Sequence, residues 1–115
     1  FEGPYSYDSR FGEGAGTNPE QLIAAAHAGC FTMALSSVLS NAQHVPELLR
    51  TRARVHLRNI DSAPTLARID LETEGRVLGV DPDEFQRYAE DAKAACPVSR
   101  ALAGIPEIVL TAKLI

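Results

Sequence analysis

The chain carries its strongest structural signal at residues 18–40, which read NPEQLIAAAHAGCFTMALSSVLS. Asn18 is a good helix N-cap and Pro19 suits the first helical position, so this segment predicts a helix from Asn18 to about Ser40. Apolar residues cover every face of that helix, which is typical of a helix buried on most sides. One small domain can hardly surround so long an apolar rod, and we therefore expect a partner subunit to cover part of it.

The segments after this helix predict a mixed chain of helices and strands. Residues 51–60 and 66–77 alternate as strands do, and a turn over 61–64 would join them into a hairpin. A second helix is predicted over 81–95 and a last strand over 107–115. Helices and strands are segregated along the chain, so we expect an α+β fold in which a long buried central helix and a second helix pack with an antiparallel sheet.

Two short segments carry more specific expectations. Residues 1–17 combine several glycines with large side chains such as Tyr5 and Tyr7, which predicts an ordered loop. Pro97 disfavours helical geometry at the residue before it, so the second helix should break at Cys96 and a short helical turn should follow.

Size and charge narrow the functional classes. The 115 residues, 45% hydrophobic and 23% charged, fit one domain spanning 1–115. The net charge of -4 and the scattered basic residues argue against a nucleic acid partner. By this count no run approaches the ~20 apolar residues that span a bilayer, and no leader pattern opens the chain, so we expect a soluble cytoplasmic protein without a membrane partner. Phe1 is not an initiator methionine, so the natural chain can begin upstream.

The only two cysteines, Cys30 and Cys96, are the best functional clue. Two thiols are too few for the disulfide framework of a small secreted domain, which leaves a buried thiol pair or a working redox pair. Neither a CxxC motif nor a Cys/His zinc spacing is present, so we expect no metal. A cysteine on an alanine-rich helix is most often an inert core residue. Arg10, Glu20 and the second thiol nevertheless supply the cation, the carboxylate and the resolving group that a peroxide-reducing cysteine needs.

Each polar candidate also has a plainer interpretation. Glu20 lies three residues after Thr17, which is the spacing of a helix capping box. Arg10 is the only charged candidate in a glycine-rich loop, and an arginine in such a loop is by default a solvated surface charge. His27 precedes Cys30 by one helical turn, as in a Cys–His nucleophile, but a packed or interface histidine is more common and no Asn or Asp is evidently placed to orient it.

Several stretches together resemble a known family. They are Ser9-Arg10-Phe11, GTNPEQLIAAAHAGCF at 16–31, MALS at 33–36 and CPVSRAL at 96–102. These segments resemble the OsmC/Ohr family of organic hydroperoxide reductases. The motifs HAGC and CPVSRAL most resemble its osmotically inducible protein C branch. The match runs nearly end to end, although the additional N-terminal strands usual in the family are not found in this sequence.

The resemblance implies an intertwined α+β homodimer with two equivalent sites at the subunit interface. It implies Cys30 as the peroxidatic thiol, Cys96 as the resolving thiol, Arg10 as the guanidinium that stabilises thiolate and peroxide, and Glu20 as the partner of that arginine. No bound cofactor is implied, and the external reductant would be a small dithiol of the lipoyl type.

The length of the predicted helix adds a geometric expectation. Glu20 and Cys30 are ten residues apart, which places them ~15 Å apart along a continuous helix axis. We therefore expect a composite site, in which antiparallel packing of two helices places Glu20 and Arg10 of one subunit beside Cys30 of the other.

The expected activity is the reduction of organic hydroperoxides, and less well of hydrogen peroxide, through a Cys30 sulfenic acid and a Cys30–Cys96 disulfide in oxidative and osmotic stress defence. An apolar surround from Tyr5, Tyr7, Phe31 and Met33 would favour organic substrates. Two alternatives stay open. One is a non-enzymatic dimeric stress-associated binding domain with structural cysteines, and the other is a Cys–His hydrolase that uses His27.

Overall fold

A computed structural model describes residues 1–12 and 14–115. In chain order, the elements are a 3-10 helix over Asp8–Phe11, helix α1 over Pro19–Asn41, strand β1 over Leu48–Ile60, strand β2 over Ala63–Arg76, helix α2 over Pro82–Ala95, helix α3 over Pro97–Ala101 and strand β3 over Glu107–Leu114. The strands form one sheet in the order β1-β2-β3. This combination of helices and a sheet confirms the predicted α+β class.

The N-terminal loop is tied together by the buried side chain of Ser9. Its hydroxyl contacts the carbonyl oxygens of Ser6 and Thr17 at 2.8 Å and 2.9 Å. The predicted ordered loop therefore contains a 3-10 turn and closes against the residue that precedes the α1 cap. Glu13, which falls inside that predicted loop, lies outside the described residues.

Helix α1 begins where the sequence predicts. The Asn18 side chain accepts a hydrogen bond from the backbone N–H of Gln21 at 2.8 Å, and a proline occupies the first helical position. Asn18 is buried, and its amide donates to the Ser9 hydroxyl at 2.9 Å. Thr17 does not cap the helix, because its hydroxyl donates to the Gln21 side chain at 2.9 Å. The Asn18 cap is thus confirmed, and the capping-box alternative for Glu20 is not formed.

Only one stripe of α1 is buried within this chain. The buried residues recur every four positions: His27, Phe31, Leu35 and Leu39. Away from them lies an outer stripe of exposed apolar or small residues, which we define as Leu22, Ala25, Ala26, Gly29 and Met33. The single chain leaves the outer stripe uncovered, as expected of a domain too small to surround this helix, and its burial by a partner subunit stays a prediction.

Helix α1 is also long and apolar enough to cross a membrane by length and composition alone. This finding corrects the expectation that no run approaches that length. The core helix of a water-soluble protein passes the same test. In this chain, α1 packs its buried stripe against strand β1 and helix α2.

Strands β1 and β2 form the predicted antiparallel hairpin. The pairing ends with Ile60 opposite Ala63. Asp61 and Ser62 connect them with φ angles of 51° and 64°. Two successive left-handed residues make the mirror-image turn whose twist matches that of the flanking strands. A turn at this place is therefore confirmed, but it is shorter than the predicted 61–64, because Ala63 and Pro64 already pair with β1.

Strand β3 pairs with β2 in parallel, with Arg68 opposite Glu107 and Gly75 opposite Leu114. The predicted antiparallel sheet is wrong for this pair. Between Arg76 and Glu107 the chain forms α2 and α3, and this crossover returns it to the end of the sheet where β2 started. Parallel neighbours require a connection of this kind, usually helical and a dozen or more residues long. The sheet is consequently mixed, with β2 in the centre.

Helix α2 carries the chain to Cys96. Asp81 accepts from the backbone N–H of Glu84 at 2.8 Å, and the Glu84 carboxylate accepts from the Asp81 N–H at 3.3 Å, which completes a capping box. Cys96 has an extended conformation, with φ -63° and ψ 117°, because Pro97 follows it. Helix α3 begins directly afterwards, so the predicted break and the short helical turn are both confirmed.

A close contact fixes α2 on the sheet. The ring of Phe85 in α2 lies against the backbone of Gly75 in β2, where a Cβ atom would approach the ring to 2.6 Å. Phe85 is fully buried. Only glycine leaves room for this ring, so the position of α2, and of the cysteine at its end, depends on Gly75.

Candidate active site

The structure brings the two thiols together although they are far apart in sequence. Cys30 lies in the middle of α1 and Cys96 lies between α2 and α3, and their Sγ atoms are 3.1 Å apart. Both are free thiols. Cys96 is fully buried, whereas Cys30 is partly exposed. About 1 Å of approach would therefore bring the sulfurs to disulfide distance.

Cys96 is held by the start of α3. Its Sγ accepts the backbone N–H of Ser99 at 3.5 Å, as an N-cap does. The Ser99 side chain lies on the buried side of α3, and its Oγ is 2.6 Å from Nε2 of His27. His27 is fully buried, and its Nδ1 has no hydrogen-bond partner among the described residues. A series of buried polar contacts thus runs from His27 on α1 through Ser99 to the sulfur of Cys96.

The two thiols have opposite pKa shifts. Burial raises the pKa of Cys30, and its contact with Cys96 raises that pKa further, against a smaller opposing effect of the Val98 N–H. Burial also acts to raise the pKa of Cys96, but hydrogen bonds from Ser99, Cys30 and Val98 outweigh it and lower that pKa. Among the described residues, Arg10 does not contribute to the Cys30 pKa. The single chain therefore favours negative charge on Cys96.

Arg10 and Glu20 form a separate charged pair. Arg10 Nε donates to Glu20 Oε2 at 2.9 Å, with the two side chains 28% and 15% exposed. The Arg10 guanidinium also lies 5.6 Å from the ring centroid of Tyr7. This pair lines a cleft of about 440 Å³ between the start of α1 and residues 53–58 of β1. The carboxylate therefore holds the arginine at the edge of an open cleft.

The charged pair and the thiol pair are not brought together within one chain. Neither cysteine lines the cleft that holds Arg10 and Glu20. Helix α1 is continuous over Pro19–Asn41, so Glu20 and Cys30 are ~15 Å apart along its axis. The geometric premise of a composite site is therefore met, and the partner that would complete it stays a prediction.

The four residues expected to form an apolar surround are separated in the structure. Phe31 is fully buried in the core, whereas Tyr5, Tyr7 and Met33 are 78%, 68% and 75% exposed. Within the single chain, Phe31 stabilises the core rather than an open site. The exposed tyrosines lie with the arginine loop, and Met33 belongs to the outer stripe.

Ser99 is a neighbour of the thiol pair that the sequence pattern does not single out. It follows Cys96 by three residues, the spacing at which a capping side chain meets a backbone N–H. That spacing could have identified Ser99 as a neighbour of the sulfur. Its contact with His27 spans 72 residues and could not be read from local pattern. In this structure, the Nε2 atom of His27 contacts Ser99 Oγ.

The sequence of the chain matches a known family over most of its length. The family model described as OsmC-like protein matches residues 12–111. The chain belongs to the OsmC-like family. This result confirms the resemblance seen in the sequence motifs.

Two relatives of this OsmC-like chain have informative names. It is 44% identical over 99 residues to Peroxiredoxin OsmC of Escherichia coli strain K12, covering 86% of this chain and 69% of the relative. It is 34% identical over 104 residues to the Organic hydroperoxide resistance protein of Xanthomonas axonopodis pv. citri, covering 85% of this chain and 68% of the relative.

Solved structures share the fold. The crystal structure of an organic hydroperoxide resistance protein from Elizabethkingia anophelis superposes with a TM-score of 0.82 at 27% identity, covering 99% of this chain and 80% of that one. An organic hydroperoxide resistance protein OsmC from Legionella pneumophila gives a TM-score of 0.70 at 25% identity, covering 92% and 75%. The mixed sheet and its helices are therefore an OsmC-like arrangement.

Proposed function

We propose that this OsmC-like chain is a thiol-dependent peroxidase that reduces organic hydroperoxides to alcohols, and hydrogen peroxide less well. The observation that carries the proposal is the pair of reduced thiols, whose Sγ atoms lie 3.1 Å apart where α1 packs on α3. Relatives named as a peroxiredoxin and as an organic hydroperoxide resistance protein support the same chemistry. The activity would serve cytoplasmic defence against oxidative and osmotic stress.

Cys30 is the proposed nucleophile, since it is the more accessible of the two thiols. Its thiolate attacks the distal oxygen of the hydroperoxide, the O–O bond breaks, and the alkoxide leaves and is protonated to the alcohol. Cys30 is then a sulfenic acid. The Cys96 thiol attacks the Cys30 sulfur, the hydroxyl leaves as water with the thiol proton, and a disulfide forms. An external dithiol of the lipoyl type reopens that disulfide through a mixed disulfide, with no bound cofactor.

Arg10 is the proposed stabiliser of the charge that develops on the departing alkoxide. Its ion pair with Glu20, at 2.9 Å, keeps the guanidinium in one orientation. Tyr7 and Tyr5 add exposed aromatic surface on the same loop, which supports a preference for hydroperoxides with an apolar group.

The proposed active form is an intertwined homodimer. The outer stripe of α1 is apolar or small and uncovered in the single chain, and a second copy of this stripe is its natural complement about a two-fold axis. Antiparallel packing of two α1 helices would carry Glu20 and Arg10 of one subunit toward Cys30 of the other. This arrangement also supplies the cation that Cys30 lacks within its own chain.

The test is addition of stoichiometric tert-butyl hydroperoxide to the reduced protein, followed by peptide mass analysis without reductant. We expect a cross-link between the Cys30 and Cys96 peptides. Cys30→Ser should abolish peroxide consumption, and consumption at the parent rate would contradict the assignment. Cys96→Ser should undergo a single oxidation and stop at sulfenic acid, whereas repeated turnover would remove Cys96 from the mechanism. Thr111→Ala, which removes an exposed hydroxyl from β3, is the matched control that should behave as the parent.

The same experiment separates the alternatives. A non-enzymatic binding domain with structural cysteines predicts slow labelling of both thiols and no cross-link after peroxide. A Cys–His hydrolase predicts an acyl-enzyme that His27→Ala removes.

A further inference from the structure

Two contacts link α1 to the start of α3, and they lie side by side. The sulfur atoms of Cys30 and Cys96 are 3.1 Å apart, and Nε2 of His27 is 2.6 Å from Oγ of Ser99. His27 and Cys30 are three residues apart on α1, which makes them neighbours on one face of the helix. Cys96 and Ser99 are also three residues apart, and the Ser99 N–H reaches the Cys96 sulfur at 3.5 Å. The His27–Ser99 contact therefore adjoins the thiol pair at both of its ends.

The contact between His27 and Ser99 is buried and has no substitute nearby. His27 is 0% exposed and Ser99 is 7% exposed. Burial, and then the charge of Lys93, lower the pKa of His27, so the ring is neutral near pH 7 and needs no counter-ion. Its other nitrogen, Nδ1, has no hydrogen-bond partner among the described residues. Without the Ser99 hydroxyl, a buried polar ring would be left unpaired, which is costly in a protein interior.

Helix α3 depends on such a contact because it is short. It spans only the five residues Pro97–Ala101, and a helix of this length is not stable by itself. Two of its apolar neighbours, Val98 and Leu102, are only partly buried against the core. Apolar contacts have no preferred direction, whereas a hydrogen bond fixes both a distance and an angle. The bond from Ser99 to His27 is therefore the contact that defines where α3 lies along α1.

We propose that His27 and Ser99 are positioning residues that hold α3 against α1, so that the Cys96 sulfur captures the Cys30 sulfenic acid before a second hydroperoxide does; this role rests on the proposed peroxidase function. In the capture, the two sulfurs form a bond and the hydroxyl leaves as water with the Cys96 proton. In the competing reaction, a second hydroperoxide transfers one oxygen to the sulfenic acid and leaves as an alcohol, and Cys30 becomes a sulfinic acid.

The geometry favours capture because the resolving sulfur is in place before oxidation. A reacting atom held within about 3.5 Å has an effective concentration far above that of a dissolved hydroperoxide. This advantage is lost in proportion to the time that α3 spends in other positions. Sulfinic acid is not reduced by a dithiol, so each failure of capture would end the activity of one site.

The first test compares the two products on Cys30 after a pulse of excess tert-butyl hydroperoxide. Intact mass analysis gives the ratio of sulfinic acid to disulfide, and this ratio does not depend on how fast Cys30 is first oxidised. Ser99→Ala should raise the ratio on the order of tenfold, because α3 loses the bond that positions it. An unchanged ratio in folded Ser99→Ala protein would overturn the proposal.

Thr73→Val is the matched control. Thr73 is 1% exposed, and its Oγ1 lies 3.0 Å from Oγ1 of Thr51, so this variant loses a buried hydroxyl contact between β1 and β2 instead. We expect it to lower the thermal stability of the protein but to keep the parent ratio. If Thr73→Val raised the ratio as much as Ser99→Ala does, Ser99 would have only a general structural role, and the proposal would be overturned.

The second test uses no peroxide. In a buffer of reduced and oxidised glutathione, the Cys30–Cys96 disulfide forms while oxidised glutathione is reduced to two thiols. Ser99→Ala should lower the equilibrium constant for this exchange on the order of tenfold, and Thr73→Val should not. The parent constant in Ser99→Ala would overturn the proposal. A protein that consumed no hydroperoxide would refute the proposed function, while this equilibrium would still test the role of Ser99.

A third measurement avoids substitution altogether and decides the question even if Ser99→Ala does not fold. The nitrogen chemical shifts of the His27 ring report its hydrogen bond in the reduced protein and in the disulfide form. We expect the same hydrogen-bonded ring in both forms, because the sulfurs need only about 1 Å of approach. Loss of this hydrogen bond in either form would overturn the proposal.

Discussion

Truncation of Met33 probes whether a second copy of the chain covers the outer stripe. Met33 lies on α1, three residues after Cys30, and is 75% exposed in the single chain. If the stripe packs against its counterpart, Met33→Ala removes apolar contacts from both subunits at once. Leu78, in the connection between β2 and α2, is 74% exposed and lies off α1, so Leu78→Ala is the matched control.

The magnitude follows from that exposure. Complete burial of a methionine side chain stabilises by ~1.5–3 kcal/mol, and three-quarters of it remains to be buried, or ~1–2 kcal/mol per subunit. Two-fold symmetry counts the substitution twice, which gives an upper limit of ~2–4 kcal/mol for the dimer. This limit corresponds to a dissociation constant weaker by roughly 30- to 1,000-fold.

Sedimentation equilibrium measures the dissociation constant, and peroxide consumption over a range of protein concentrations measures its consequence. We expect Met33→Ala to weaken the dimer and to lose specific activity on dilution, at concentrations where Leu78→Ala keeps both. Equal dissociation constants for the two variants, or a fully active monomer, would refute the reasoning.

Two further predictions concern stability. Gly75→Ala should cost ~1–3 kcal/mol, because the new methyl group meets the Phe85 ring and α2 must shift; a thermal melt beside Gly104→Ala, where a Cβ meets nothing within 4 Å, would contradict this if both variants lost equal stability. Hydrogen bonds, first of all from Arg68, lower the pKa of Asp70 below its unfolded value of ~3.9, so its contribution to stability is complete above about pH 4 and is lost as pH falls through the folded pKa. The unfolding free energy of Asp70→Asn should therefore depend less steeply on pH below about pH 4 than that of the parent. An identical pH dependence in this range would count against the prediction.

The local features of the fold were predictable because their causes lie within a few residues. Asn18 caps α1 through a bond that spans three residues, and Pro97 sets the backbone of the residue directly before it. The hairpin turn at Asp61 and Ser62 depends likewise on adjacent residues. Features of this kind can be predicted from a short segment of sequence.

The features that were missed depend on contacts between distant segments. The parallel direction of β3 follows from the crossover through α2 and α3, although the length of that connection was a usable signal. The burial of α1 on one stripe depends on which elements pack against it. The long apolar pattern indicated the helix but not the number of faces that a single chain covers.

The candidate site shows the same division. Cys30, Cys96, Arg10 and Glu20 were candidates from their chemistry and from the family motifs, and the structure pairs the thiols with each other and the charges with each other. The pKa order of the thiols could not be predicted, because it depends on donors that α3 brings to one sulfur. Ser99 was missed, although its position three residues after Cys96 was a usable signal.

Mixing two inactive variants tests the composite site most directly. One carries Cys30→Ser and the other carries Arg10→Ala, and they are combined in equal amounts under conditions that allow subunits to exchange. If each Cys30 works with the Arg10 of the other subunit, the mixed dimer has one complete site, and random pairing restores about a quarter of the parent peroxide consumption. No activity above that of the separate variants would mean that Arg10 and Cys30 act within one chain, which would contradict the account.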